Sequence, residues 1–161
     1  MKLSKNFALE EFLRSQTAAR HGIDMTPPPE VVDNLKELVT TCLQPLRDDV
    51  GAAIFISSGY RPRQLNGLIG GSLTSAHIDG RAADFVVAGM TPLDACRRIA
   101  EMELPFDQCI HEFGRWVHLG IAKVNRGELL TAYRATRPVY QFGLHPIEEL
   151  EKGHNTKEQH S

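Results

Sequence analysis

The sequence predicts an α+β domain in which N-terminal helices pack on a small, mainly antiparallel sheet. Three observations carry this expectation. Helix-spaced apolar residues fill the N-terminal third and recur once around positions 91–99. Short runs of β-forming residues follow at 53–56, 82–87, 106–112 and 116–122. The last two runs are joined by Phe113, Gly114 and Arg115, a link short enough for a hairpin and too short for a crossover.

Phe7, Leu9, Phe12 and Leu13 predict a short amphipathic helix, ending before Gly22. Thr26 to Glu30 carries three prolines and leads into the next helix, where a proline in the first turn loses no hydrogen bond. Leu35, Leu38, Val39, Cys42, Leu43 and Leu46 then keep i, i+3, i+4, i+7 spacing, so one face is buried. Pro45 is expected to kink or end that helix. Ala53, Ile54, Phe55 and Ile56 form a buried strand that runs into Ser57-Ser58-Gly59-Tyr60-Arg61-Pro62. A helical turn near Leu65 and Asn66 and a Gly70-Gly71-Ser72 loop come next. Thr91, Pro92 and Asp94 have the order of an N-cap, a first-turn proline and a first-turn acid. The helix they start buries Leu93, Cys96 and Ile99.

With 161 residues, 42% of them hydrophobic, the chain has material for one core. We assign residues 1–146 to the domain and 147–161 to a polar tail expected to be unordered. The net charge of -2, from 18 basic and 20 acidic residues, offers no basic field for nucleic acid. No window is apolar enough for a membrane span, and Glu10 and Glu11 interrupt any signal-peptide core. The expectation is a monomer made in the cytoplasm. Three scattered cysteines without a CxxC pair are read as small buried apolar residues.

The chemistry gathers in two places. In Ser75-Ala76-His77-Ile78-Asp79-Gly80-Arg81-Ala82-Ala83-Asp84, an imidazole and a carboxylate bridge a loop and the start of a strand. Gly80 lets the backbone turn, and small alanines leave room for close approach. His118 follows on a strand in Trp116-Val117-His118. Two imidazoles and a carboxylate suit Zn²⁺ and leave a fourth position open for water. A histidine alone on a strand is more often structural than a ligand, so the conjunction carries the argument.

These motifs resemble the D-alanyl-D-alanine carboxypeptidase group of zinc peptidases, in particular its compact phage-type, endolysin-like members. The pattern Ser-x-His-x-x-Gly-x-Ala-x-Asp is met by Ser75, His77, Gly80, Ala82 and Asp84, and Trp-x-His by Trp116 and His118. Ser-Gly-Tyr-Arg is met by Ser58, Gly59, Tyr60 and Arg61, with Asn66 and the Gly-Gly-Ser loop after it. The similarity runs over residues 7–130. It implies the Hedgehog/DD-peptidase fold, one zinc per chain on His77, Asp84 and His118, and hydrolysis of peptidoglycan stem peptides. Arg61 would grip a substrate carboxylate or carbonyl, a task suited to a planar, permanently charged fork. Ser75 would orient substrate or ligand beside the metal. Carboxypeptidase and lysis-endopeptidase specificities are both open.

The general base departs from part of the group. Some relatives carry an acid or histidine three residues before the last ligand, where this chain has Arg115. Glu112 and His111 are the remaining candidates, and phage-type relatives favour Glu112. Hairpin geometry separates them: a three-residue loop places Glu112 opposite Trp116 and on the face of His118, whereas a two-residue loop brings His111 there instead. Two readings without catalysis compete, since the same fold occurs in signalling proteins related to Hedgehog. One is a zinc-binding domain and the other a cell-wall-binding or virion module.

Overall fold

Six strands form one sheet in the computed structural model, which describes residues 1–159. They are β1 (Ile54–Ser58), β2 (Ala82–Val87), β3 (Gln108–Glu112), β4 (Trp116–Gly120), β5 (Glu128–Tyr133) and β6 (Val139–Phe142), arranged as β1-β2-β4-β3-β5-β6. Neighbours run antiparallel except β3 and β5, which are parallel. The sheet is therefore α+β and mainly antiparallel, as the sequence predicts. Strands β5 and β6 are an addition to that prediction. Their segments lack clean alternation, and β6 leaves Tyr140 and Phe142 exposed, so hydrophobic patterning gives little signal there.

The helices are α1 (Gln16–His21), α2 (Pro29–Leu38), α3 (Gln44–Val50), α4 (Arg63–Leu68), α5 (Pro92–Glu101) and α6 (Ile147–Gln159). In α2, Val31, Leu35 and Leu38 form the buried stripe. The chain does not stop at Pro45. It passes from α2 into α3 through a wide turn, Val39–Leu43, with the Gln44 N–H bonded to the Val39 carbonyl. Pro45 has no N–H to continue the regular ladder, and the extra residue in the turn accommodates its ring. In α5 the Thr91 hydroxyl accepts from the Asp94 N–H at 3.1 Å, the expected cap.

Register partners share a face, so the sheet divides cleanly. Ala83, Phe85, Cys109, Val117 and Leu119 point into the core with Phe12, Leu35, Leu38, Leu43, Leu46 and Ile99 from the helical layer. Cys42, Cys96 and Cys109 are free and buried there. Asp84, Ile110, His118 and Leu130 point the other way. Among the described residues no helix is long and apolar enough to cross a membrane.

The tail needs correction. Residues 147–159 are helical, and α6 docks beside β5. The Tyr133 and His154 rings meet edge to face at 5.9 Å, and Arg134 lies 3.7 Å from the Glu151 carboxylate. Composition alone misses this because half-buried Ile147 and Leu150 supply the only apolar anchor near the start of an otherwise polar helix. Residues 160–161 of the expected tail lie outside the described residues.

Candidate active site

Two backbone segments build one wall of the site. After β1 the chain passes so close to Phe12 that a Cβ on Gly59 would lie 2.6 Å from the Phe12 carbonyl oxygen, so only glycine fits. The Tyr60 N–H donates to that same oxygen at 2.8 Å. Opposite, the turn Ala76–Asp79 opens at Ser75, whose Oγ accepts from the His77 N–H at 3.3 Å. It closes at Gly80 with φ of 71°. The segments are stitched together twice: the Arg61 N–H donates to the His77 carbonyl at 3.0 Å, and His77 Nδ1 lies 2.7 Å from the Gly59 carbonyl. With Nδ1–H donating there, Nε2 keeps its lone pair for a metal.

Antiparallel pairing supplies the other two groups, since Asp84 on β2 faces His118 on β4. His118 Nδ1 lies 2.9 Å from Asp84 Oδ1 and 3.3 Å from His77 Nε2, and His77 Nε2 lies 3.3 Å from Asp84 Oδ1. A tetrahedral ion with bonds of about 2.0–2.1 Å needs donors about 3.3 Å apart. The three atoms thus have the spacing of one face of such a tetrahedron. Among the described residues this is the one His/Cys/Asp/Glu group of three or more that could hold a metal ion.

The electrostatics fit that task. Burial raises the Asp84 carboxyl, but its contacts with His77 and His118 outweigh that and hold it well below the usual carboxylate range, leaving an ionised carboxylate. Burial lowers His77, with Asp84 opposing, and so favours the neutral imidazole a ligand requires. At His118 burial acts downward, while the Asp84 hydrogen bond and the charges of Asp84 and Glu112 win and raise it.

The β3–β4 loop spans residues 113–115, and Glu112 pairs with Trp116. Glu112 therefore shares the His118 face. Its Oε1 lies 3.7 Å from His118 Nδ1, and its Oε2 accepts from Trp116 Nε1 at 3.0 Å. Burial raises the Glu112 carboxyl, His118 pulls it down and Asp84 pushes it up again. His111 points to the opposite face, buried, with Nδ1 at 3.1 Å from the His145 carbonyl. Arg61, Ser75, Glu112 and the three candidate ligands all line one groove of about 590 Å³. Arg61 Nε is buried without a partner. Burial pushes this guanidinium's pKa down, and the charges of Asp84 and Glu112 oppose it.

The family model for Peptidase M15 matches residues 5–120. The chain belongs to the Peptidase M15 family. No curated protein matches it. The matched region ends with β4, so it contains every candidate residue named above and leaves β5, β6 and α6 outside.

What lies beyond the match also shapes the groove of this M15 member. Leu130 on β5 and Tyr140 on β6 line it, as do Asp107 and Arg126, which pair at 2.9 Å. Tyr140 faces Ala132, which faces Glu112, so small Ala132 leaves the phenol space to lean toward the carboxylate. Tyr140 carries little sequence signal, because β6 is an edge strand whose residues are mostly exposed. Asn66 stands out in the sequence only as part of a motif. The buried Asn66 amide donates to the Ser72 carbonyl at 2.8 Å and holds the 70–72 loop that rims the groove.

Proposed function

We propose that this M15 member is a zinc peptidase acting on the peptide stems of bacterial cell wall. The observation that carries the reading is the His77, Asp84 and His118 triangle with the Glu112 carboxylate 3.7 Å from one corner. Structural metal sites are closed by a fourth protein ligand, whereas three ligands beside an independent carboxylate are the arrangement of a hydrolytic site. His77 through Nε2, Asp84 through Oδ1 and His118 through Nδ1 would hold the ion. When bound, zinc supplies Lewis acidity, polarising the scissile carbonyl and making water easier to deprotonate.

The remaining work falls to the chain's own groups. Glu112 accepts a proton from the attacking water and returns it to the departing amine nitrogen, so acid and base are one carboxyl. Burial raises this carboxyl, which makes it a stronger base for taking the proton from water in the first half of that cycle. Trp116 Nε1 fixes the carboxylate by holding the other oxygen. Arg61 presents its fork to a substrate carboxylate or to the carbonyl oxygen as negative charge develops. Ser75 fixes the turn that carries His77 and sits at the groove edge, within reach of substrate backbone.

Digestion of purified peptidoglycan, with fragments identified by mass spectrometry, tests the reading and names the bond. New peptide termini should form with the zinc-loaded protein, vanish with a chelator and return with added zinc. Intact stems under all conditions, or cleavage indifferent to chelation, would overturn it.

A further inference from the structure

Arg61 is the wall between two hollows, and only one of them holds the metal triangle. The second has a volume of about 510 Å³, and Arg61 is the one residue lining both. Its other walls include Arg14 and Thr17 near α1, Ser57 and Ser58 at the end of β1, and Tyr60.

The two hollows lie over one row of the sheet. Ser58 faces Asp84, Asp84 faces His118, His118 faces Ile110, and Ile110 faces Leu130. The row crosses five strands, and at a strand spacing of about 4.8 Å it covers about 19 Å. An extended peptide rising about 3.3 Å per residue would need about six residues to follow it. The metal groove takes the Asp84-to-Leu130 part of that row, and the second hollow adds its Ser58 end on the other side of Arg61.

The chemistry of the second hollow is one-sided. Two arginines line it and no carboxylate does. Arg14 is exposed and has no ion-pair partner among the described residues. The Ser58 and Thr17 hydroxyls find no hydrogen-bond partner there either. Arg61 Nε, buried and unpaired, is a donor that the folded chain leaves unsatisfied. Fixed positive charge, free hydroxyls and one unsatisfied guanidinium nitrogen together match an anion, and the anion that a peptide offers is a carboxylate.

We propose that this hollow is a second substrate subsite, holding a peptide carboxylate on the side of Arg61 away from the metal. The proposal rests on the peptidase reading and adds to it a demand for a charged group remote from the cleaved bond. The carboxylate can be the terminal one or an internal one, and the two are separable by chemistry.

Three lysine-type stem pentapeptides serve as probes: one with both carboxylates free, one amidated at the terminus and one amidated at the internal carboxylate. Their affinities are measured by calorimetry on the zinc-loaded Glu112→Gln protein, with and without Arg14→Gln, so that no probe is consumed. One of the two amides should bind about tenfold more weakly than the free peptide, and that amide names the carboxylate. Arg14→Gln should weaken the free peptide to a similar degree and leave little further loss for the same amide, the signature of coupled partners. Equal binding of all three peptides, discrimination that survives Arg14→Gln, or no peptide binding at all overturns the subsite. Failure of the peptidase reading shows elsewhere, as intact pentapeptide after incubation with the wild-type protein.

Discussion

Glu112 faces Trp116 across the β3–β4 hairpin, and the indole Nε1 donates to Glu112 Oε2 at 3.0 Å. That register leaves Oε1 directed toward His118, 3.7 Å from Nδ1. A hairpin loop one residue shorter would turn Glu112 into the core side of the sheet and His111 toward the site. The reading of Glu112 as proton carrier thus depends on three loop residues, among which Phe113 and Gly114 both adopt positive φ, 59° and 69°.

Glu112→Gln should keep the fold and the metal while losing roughly 10²–10⁴-fold in kcat. The pH profile gives a second check. A base must be deprotonated to work, and burial raises this carboxyl, so the rate should fall with acidification through a point above the usual glutamate range. In Trp116→Phe the indole hydrogen bond is lost, which removes an influence that lowers Glu112, and the acid limb should move further up in pH. An unchanged rate in Glu112→Gln would reassign the base.

Metal analysis of the purified protein should give one zinc per chain, with His77→Ala and Asp84→Ala each losing it. Retention of metal in both variants would dismiss the triangle as the binding site. Affinity should fall as pH falls, because protons compete with the metal for His118, whose pKa is raised. Chelation should lower the melting temperature, since an ion bound by the native state alone stabilises it.

Much of this site was legible in the sequence because its spacing reflects backbone geometry. His77, Gly80 and Asp84 span one tight turn and the entry to β2, and His118 is the direct cross-strand neighbour of Asp84. What was not legible came from elements without a strong hydrophobic period. Tyr140 reaches the groove from β6, an edge strand with mostly exposed residues, and β5 inserts in parallel next to β3. Parallel pairing joins segments with no hairpin between them, so local sequence cannot announce it. Arg14 escaped for a related reason: only the approach of the α1 region to the end of β1 makes it part of a hollow.

Arg61→Ala should bind metal normally and lose turnover, since the side chain lines the groove while its backbone N–H, which any residue retains, holds the His77 turn. Arg61→Lys should recover little, because an ammonium cannot present two parallel donors. Zinc loss or unfolding in Arg61→Ala would instead indicate that the guanidinium braces the site.

Gly59→Ala separates packing from catalysis. The added methyl would meet the Phe12 backbone at 2.6–2.7 Å, and a backbone shift is the only relief. Because the Gly59 carbonyl accepts from His77 Nδ1, that shift moves a metal ligand. A stability loss of about 1–3 kcal/mol, the usual cost of overpacking, should come with weakened metal binding. Normal melting and normal metal content would show that this close approach is not required.

Helix α6 gives the last prediction, and the two faces of β5 decide it. Leu130 and Ala132 face the groove side with Ile110 and Glu112, whereas Thr131 and Tyr133 face the opposite side with His111. The helix touches that second side, where the Tyr133 ring meets His154. Deleting residues 147–161 should therefore cost stability and spare chemistry. Half-buried Ile147 and Leu150 together suggest a loss of about 2 kcal/mol, or about 4–8 °C in Tm for a chain of this size. The truncated protein should retain zinc and its kcat below the new transition. The checks are a calorimetric melt and an activity assay on the same preparation. A fall in kcat with unchanged Tm would mean that α6 acts on the groove through its contacts with β5 or through Ile147, which lies beside Gly114 in the β3–β4 loop.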